Sequence, residues 1–374
     1  MPPAYDFFAA HTAIFDRVRV IARVQPVSHR PANAIRADGM RVEFFPVPCY
    51  AGPWAYLRSA KAVFERLRSA VEPDDVLLVR CPSQLATTLL AAIPARRYGI
   101  EVLGDPYELY APGASRGLLR PLYRHWFTTR LRQQCRNAVV AGYVSTALER
   151  RYPSSRPGHR MLDVHLAGIP PRPRQFRAGM ADVVTVGGFD HPVKGHDTLI
   201  DALAIVQARG LPVRLTIIGG GRLRPELEAQ ARRRRVDVRF AGELGGASAV
   251  GKHFWDADLF ALATRSEGTP RALIEAMAHG LPSVATPVGG ITELLPASQL
   301  APPNRPRELA ERIETMLKSP EAYESASHLG LAVVARFAEP IQAERRRRFL
   351  TELRHLSESG ARRSYEGTYG YASR

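Results

Sequence analysis

The sequence predicts an α/β protein of two doubly wound halves, each a parallel sheet covered by helices, with a cleft between the halves. Three observations predict it. At 374 residues the chain exceeds one ordinary domain and can bury two cores. Short runs rich in β-branched and aromatic residues alternate with longer amphipathic stretches almost from end to end, the pattern of parallel sheets covered by helices. The stretch AGIPPRPRQFRAGM (167–180) divides this alternation, because its Pro, Arg and Gly density continues neither a helix nor a central strand. The expected organisation is a first domain at 1–166, a linker at 167–180 and a second domain at 181–336. A last helix at 337–360 packs back on the first domain, and 361–374 forms a tail.

The elements follow in order. YDFFAAHTAIFD (5–16) repeats Phe7, Phe8, Ile14 and Phe15 at helical spacing. Strands are expected at VRVIARV (18–24), VEFFPVP (42–48), DVLLVRC (75–81), IEVLGD (100–105) and AVVAGYV (138–144), with helices at 54–70, 83–97 and 118–136. The second series has strands at DVVTVG (182–187), VRLTIIG (213–219), VDVRFAG (236–242), DLFALAT (258–264) and PSVATP (282–287). Its helices fall near 197–208, 223–233, 270–279, 306–317 and 320–336, before an Arg- and Leu-rich helix at 341–356 and a frayed end at SYEGTYGYASR (364–374).

Composition narrows the class. Hydrophobic residues at 45% and charged residues at 24% are those of a globular chain, neither disordered nor fibrous. The formal net charge is +16, but 48 of the 52 basic residues are arginine, a skew that genome composition also produces. Cys49, Cys81 and Cys135 stand at wide, unrelated spacings that form neither a disulfide framework nor a metal-ligand pattern, which fits a reducing cytoplasm. No apolar run reaches the ~18–20 residues of a membrane-spanning helix, and the opening residues lack the pattern of a signal peptide.

Chemistry concentrates in TRSEGTPRALIEAMAHGLPSVATPVGGITELL (264–295). Thr269 suits an N-cap, Pro270 suits N1 and Gly280 suits a C-terminal stop, which predicts a helix over 270–279. Because that helix starts just beyond a strand, the N–H groups of Arg271, Ala272 and Leu273 are expected to face the cleft and suit an anion. Glu275 is the charged member of the apolar run ALIEAMA, so its carboxylate needs partners, either sugar hydroxyls or groups of the protein itself. Glu267 stands at the loop tip beside Gly268, within reach of a ligand on the same anion site. Elsewhere a strand ends at Gly187-Gly188, and Lys194 precedes a helix, where it can meet a phosphate as a point charge. LTIIGGG ends in Gly219, Gly220 and Gly221, which permit close backbone approach or a tight turn. Neither a GxGxxG fingerprint nor a GxxxxGK[ST] loop occurs, so a dinucleotide site and a P-loop are unsupported.

In family order, VGG…VKG…LI.AL (186–203), L.IIG.G (215–221), the FAG turn (240–242) and SEGTPRALIEAMAHGLPSVATPVGGITEL (266–294) resemble the nucleotide-sugar-binding domain of retaining GT-B glycosyltransferases, family 4. The last segment holds the E-x7-E signature as Glu267 and Glu275. The resemblance is strong over about 182–335 and extends to the first half in strand order alone. It implies two facing Rossmann-like domains and transfer, with retention, from a nucleotide-sugar donor to a glycan or lipid-linked acceptor. It places Glu275 on the donor ribose, Glu267 on the transferred sugar, and the N–H groups around Pro270–Leu273 on sugar and diphosphate oxygens, with Gly268 and Thr269 also at the donor. Gly187, Gly188, Gly219 and Gly220 would line the donor, and Lys194 would neutralise the diphosphate, with no cofactor and no metal. The family's arginine after the first glycine of the VG motif is here Gly188, a departure that Arg265 or Arg271 could offset. In place of the family's acceptor-face histidine stands GDPYELY (104–110), making Asp105 and Glu108 the acceptor-side candidates.

Basic residues outnumber acidic ones 23 to 13 in residues 1–170. The stretch 117–136 interleaves Arg120, Arg124, Arg130, Arg132 and Arg136 with Leu119, Leu122, Tyr123, Trp126, Phe127 and Leu131, which suits either an anionic membrane surface or packing on its own sheet. The runs ARRRR (231–235) and ERRRR (344–348) lack aromatic platforms and read as solvated faces, so nucleic acid is not an expected partner. Three readings result: a transferase, a degenerate sugar-nucleotide-binding scaffold of the same fold motivated by Gly188, and a poorly supported basic nucleic-acid-binding protein. Resembling proteins also open with a central strand and a glycine loop, whereas here a helix comes first. A strand and loop of on the order of 20 residues are therefore expected upstream of Met1.

Overall fold

The computed structural model describes residues 5–29, 34–112, 114, 118–162, 164, 166, 172–244 and 247–369. Of the predicted segments, 167–171 of the linker, Gly117 and 370–374 of the tail lie outside them. The first domain runs α1 (Tyr5–Ala9), β1 (Val18–Val24), β2 (Val42–Pro48), α2 (Gly52–Arg68), β3 (Leu77–Cys81), α3 (Gln84–Ala92), β4 (Tyr98–Val102), α4 (Pro106–Leu109), α5 (Arg120–Asn137), β5 (Val140–Tyr143), α6 (Thr146–Arg151) and β6 (His159–Arg160). Strands β3-β4-β5-β6 form a parallel sheet in that order, while β1 and β2 form a separate parallel pair in register from Val18↔Val42 to Val24↔Pro48.

The second domain runs β7 (Ala181–Val186), α7 (His196–Ala208), β8 (Val213–Ile218), α8 (Arg224–Arg234), β9 (Asp237–Gly242), α9 (Ala247–Asp256), β10 (Leu259–Leu262), α10 (Arg271–Ala278), β11 (Ser283–Ala285), α11 (Pro306–Lys318) and α12 (Pro320–Val334). A long α13 (Glu339–Tyr369) is the last described element. The second sheet is parallel, in the order β11-β10-β7-β8-β9. The strand order reverses between β7 and β10, the switch point at which open sheets leave a crevice for ligands.

Burial explains why these runs form these elements. In the second domain α7, α8 and α11 pack Leu199, Leu203, Leu227, Leu309 and Ile313 on one face of the sheet, while α9, α10 and α12 pack Phe254, Leu273, Met277 and Val333 on the other. Strands covered on both sides read as continuous apolar runs, and LFAL of β10 is buried throughout. In the first domain α2, α3 and α5 cover one face with Val63, Leu67, Leu89 and Leu131. Phe349, Leu350 and Leu353 of α13 cover the other against Val140 and Met161, so the last helix packs on the first domain.

Several boundaries differ from expectation. The helix expected over 83–97 stops at Ala92, because Ile93 precedes Pro94 and leaves the helical region at φ −133°, ψ 62°. The next strand begins at Tyr98 rather than Ile100, and 103–105 turn into α4. Helices α4, α6 and α9 were not anticipated, since four to ten residues carry little periodic signal. The helix expected at 341–356 continues through Tyr369, over part of the segment expected to fray. Its basic run is partly spent internally: Arg347 and Arg348 pair with Glu344, while Arg346 turns inward beside Glu101 and over the Phe7 ring.

Candidate functional site

The site forms where the carboxyl ends of β7, β8 and β10 meet those of β4 and β5. The loops after β7 and β8 lie side by side: Gly187 N–H donates to Ile218 O, Phe189 N–H to Gly220 O and Gly219 N–H to Gly242 O, each at 2.9 Å. This ladder brings Gly187, Gly188, Gly219 and Gly220 together at one rim. Gly188 is exposed, and a Cβ there would stand 3.5 Å from Gly220 O, an ordinary contact, so packing does not demand glycine at this position. The carboxylate of Glu243, which sequence reasoning missed, lies against Gly220.

Lys194 ends a short 3-10 turn before α7, and its Nζ donates to Glu267 Oε2 at 2.6 Å. Both are largely shielded, with side-chain exposures of 29% and 12%. His196, the first residue of α7, is buried, and its Nε2 stands 3.1 Å from Gly187 O, so it fixes the glycine loop. Burial pulls its pKa down to about 4, which keeps the ring neutral. The KGH triplet could have signalled this role, but a lone histidine at a helix start ordinarily reads as solvated.

The anion end of α10 departs from the prediction. The helix starts at Arg271 with Pro270 in the N-cap position, and the Thr269 hydroxyl crosses to the first domain to donate to Val144 O at 3.1 Å. Thr269 is therefore a bridge between domains rather than a cap. Arg271 N–H turns back to Thr269 O at 2.9 Å, which leaves the amides of Ala272 and Leu273 to present the positive end of the helix. Leu273 is buried, Ala272 half-buried and Arg271 exposed. Glu275 is half-buried, less enclosed than its apolar neighbours implied, because it lies on the edge of the stripe whose centre is Leu273, Ile274 and Met277.

Arg265 does not offset Gly188. Its guanidinium is buried and bonded to Asn304 Oδ1, Pro192 O, Asp197 Oδ2 and Thr198 Oγ1, so it serves the architecture behind the loop. Asp105 is likewise occupied: it caps α4 through Tyr107 N–H, accepts from the Tyr152 hydroxyl at 2.5 Å and binds Arg151. Glu108 is the member of the acceptor-side pair that reaches the cleft, where its Oε1 lies 3.4 Å from Gly289 N–H and 3.4 Å from Arg151 Nη1.

The domains exchange carboxylates across this seam. Glu108 of the first meets an amide of the second, and Glu293 of the second accepts from Thr146 N–H at 2.6 Å, Ala147 N–H at 3.1 Å and Arg160 Nη2 at 2.6 Å. Glu293 lies in the VGGITEL segment, but nothing local distinguishes a bridging glutamate from a solvated one. Gly268 packs so closely on Leu103 that a Cβ there would overlap its carbonyl oxygen. Among the described residues no group of three or more His, Cys, Asp or Glu side chains gathers in a metal-binding arrangement.

Two parallel α/β domains facing across such a seam, with a lysine, a glutamate and a helix amino end at the switch point, form the architecture of a GT-B glycosyltransferase. Residues 181–319 match the family model described as "Glycosyl transferases group 1", so the second domain is a group 1 glycosyltransferase domain. The chain is 23% identical over 325 residues to Protein CapJ of Staphylococcus aureus, covering 84% of this chain and 81% of CapJ. It is 34% identical over 157 residues to the D-inositol 3-phosphate glycosyltransferase of Jonesia denitrificans, spanning 38% of this chain and 37% of that one. Among solved structures it resembles Anabaena Alr3699/HepE in complex with UDP and glucose, with TM-score 0.60, 18% identity and coverage of 98% and 96% of the two chains.

Proposed function

We propose that this glycosyltransferase moves a sugar from a nucleotide-diphosphate donor to a glycan or lipid-linked acceptor with retention at the anomeric carbon. The observation that carries this reading is the Lys194–Glu267 pair at 2.6 Å beside the amino end of α10, with Glu275 one turn further along. In the reading, Glu275 binds ribose hydroxyls and Glu267 the transferred sugar, while the Ala272 and Leu273 amides and Lys194 oppose charge growing on the leaving diphosphate. Gly187, Gly188, Gly219 and Gly220 let donor and backbone approach closely. The bond from the anomeric carbon to the diphosphate oxygen breaks as the acceptor oxygen bonds to the same face, and catalysis is mainly electrostatic and positional, without a resident metal. The names of the relatives support a nucleotide-sugar donor and a role in polysaccharide or glycolipid assembly.

Thermal shift against UDP, GDP, ADP and their sugars tests the donor half. A ligand at ~100 times its Kd adds ~2.7 kcal/mol of stability, and the shift should disappear in Glu275→Ala while unliganded stability stays within ~1 kcal/mol. No shift with any nucleotide, or an undiminished one in the variant, refutes the assignment. Gly188 and the internally bonded Arg265 favour a second reading, a sugar-nucleotide-binding scaffold with weak turnover. Nucleotide release on addition of acceptor separates the two.

The acceptor reading extends to a membrane. No described helix is long and apolar enough to cross a bilayer. The amino half of α5 and the residues before it nonetheless expose Leu118 at 99%, Leu122 at 60% and Trp126 at 44%, with Arg120 and Arg124 between them. No Asp or Glu occurs between Glu108 and Glu149. We propose peripheral attachment here to the anionic cytoplasmic face of a membrane. Co-sedimentation with phosphatidylglycerol vesicles should be strong at low salt and lost as screening shortens to ~3 Å at 1 M, whereas binding indifferent to lipid charge and salt refutes it.

A further inference from the structure

The first domain offers two acidic side chains at the acceptor side, and the structure separates them. Asp105 is saturated by Tyr107 N–H, the Tyr152 hydroxyl and Arg151, all of which hold α4 in place. Glu108 spends Oε1 on Gly289 N–H and Arg151, and the Glu267 N–H also acts on the carboxyl, but Oε2 is buried and makes no hydrogen bond of ordinary geometry among the described residues. A buried carboxylate oxygen without a donor is costly and is retained where something supplies that donor. The oxygen belongs to a carboxyl at the crossing point of the domains, beside the backbone of the loop that carries Glu267.

Resting on the glycosyltransferase reading above, we infer that Glu108 is the group that receives the acceptor hydroxyl, with Oε2 accepting the hydrogen bond from the O–H whose oxygen attacks the anomeric carbon. A hydroxyl held there lies between the domain that recognises the acceptor and the loop assigned to the transferred sugar, which is the position an attacking oxygen needs. As its bond to carbon forms, the hydrogen-bonded proton passes to Oε2, and the bonding pair of the broken C–O bond leaves with the diphosphate. The groups that face Glu108 are Arg151 from α6, the Glu267 loop, where Lys194 pairs the Glu267 carboxylate, and Asp105 from the start of its own helix. Burial raises the Glu108 carboxyl above its ordinary range and the charge of Glu267 adds to this, while the amides of Gly289 and Glu267 oppose it.

The test uses Glu108→Gln in the full-length chain. Glutamine keeps an oxygen for Gly289 N–H but removes the charge and the proton-accepting oxygen. Radiolabelled UDP-glucose and GDP-mannose serve as donors, and n-octyl glucoside and n-octyl mannoside as acceptor probes. Transfer to the alkyl glycoside should fall about tenfold or more, with donor KM and nucleotide-induced thermal shift within about twofold of wild type. The acid limb of the transfer pH profile should flatten in the variant. Undiminished transfer in both Glu108→Gln and Glu108→Ala overturns the inference. Parallel loss of nucleotide binding in Glu108→Gln overturns it too, because the residue then acts only as a strap between domains. Wild-type protein that shifts with no nucleotide and transfers to neither probe refutes the underlying reading instead.

Discussion

Lys194→Ala should lower turnover about 100- to 1,000-fold, the range seen when one preorganised group facing transition-state charge is removed. The lysine donates to Glu267 at 2.6 Å, and in the reading above it turns its charge to the diphosphate as the leaving group departs. The effect should therefore fall on kcat more than on donor affinity. Deleting one partner also leaves the Glu267 carboxylate, 12% exposed, without its cation, so a stability loss of about 1–2 kcal/mol should accompany the loss of rate. Glu267→Gln provides the control, since it keeps an acceptor for Lys194 and should cost less stability with a comparable loss of turnover. A Lys194→Ala protein that unfolds early but keeps its specific activity would make the pair structural.

The largest effect on folding is expected at Gly289→Ala. Gly289 opens the 3-10 turn Gly289–Glu293 at φ +53°, a left-handed conformation that disfavours any side chain, and a Cβ there would overlap the carbonyl oxygen of Glu267. Because that carbonyl is backbone, relief requires the loop carrying Glu267 to move, so stability should fall by about 2–4 kcal/mol and activity with it. Gly210→Ala is the matched comparison. Its φ is +85° but the space around it is open, so the conformational strain of about 1 kcal/mol should be its whole cost. Urea midpoints at constant m-value decide the matter, and equal losses at the two glycines would show that the seam yields more readily than its packing implies.

The parallel architecture was legible because β10 is apolar throughout, β7 and β8 carry apolar pairs at Val183–Val184 and Ile217–Ile218, and amphipathic helices separate these strands. The placement of Lys194, Glu267 and Glu275 was legible from spacing around a strand end and a helix start. What escaped the sequence depends on the other domain: Thr269 was expected to cap its own helix but bonds to Val144 O. Asp105, expected to face the acceptor, is instead taken up inside its own domain, where it caps α4 and meets Tyr152 and Arg151. A local propensity cannot reveal a partner more than a hundred residues away, and Glu293 reaching Thr146 is the same case. Arg265 shows the converse error, since a cation near the proposed donor loop in sequence lies behind that loop in space.

Among the described residues β1 pairs with β2 alone, which gives the first domain two tiers of cooperativity. A two-stranded parallel ribbon cannot sustain itself, so its order is borrowed from α2, where Val63 and Leu67 are fully buried, and from Arg19, which reaches Glu43, Glu72 and the Ala70 carbonyl. These tethers are partly electrostatic. The Arg19 contact holds the Glu72 carboxyl below its ordinary range, so the stability it contributes is present above that range and is lost as pH falls through the depressed value. Acid and salt should therefore release the ribbon as a sub-global unit while the four-stranded sheet and the seam remain closed. Its amides would then exchange with solvent in a class of their own, making this edge of the domain the first to open.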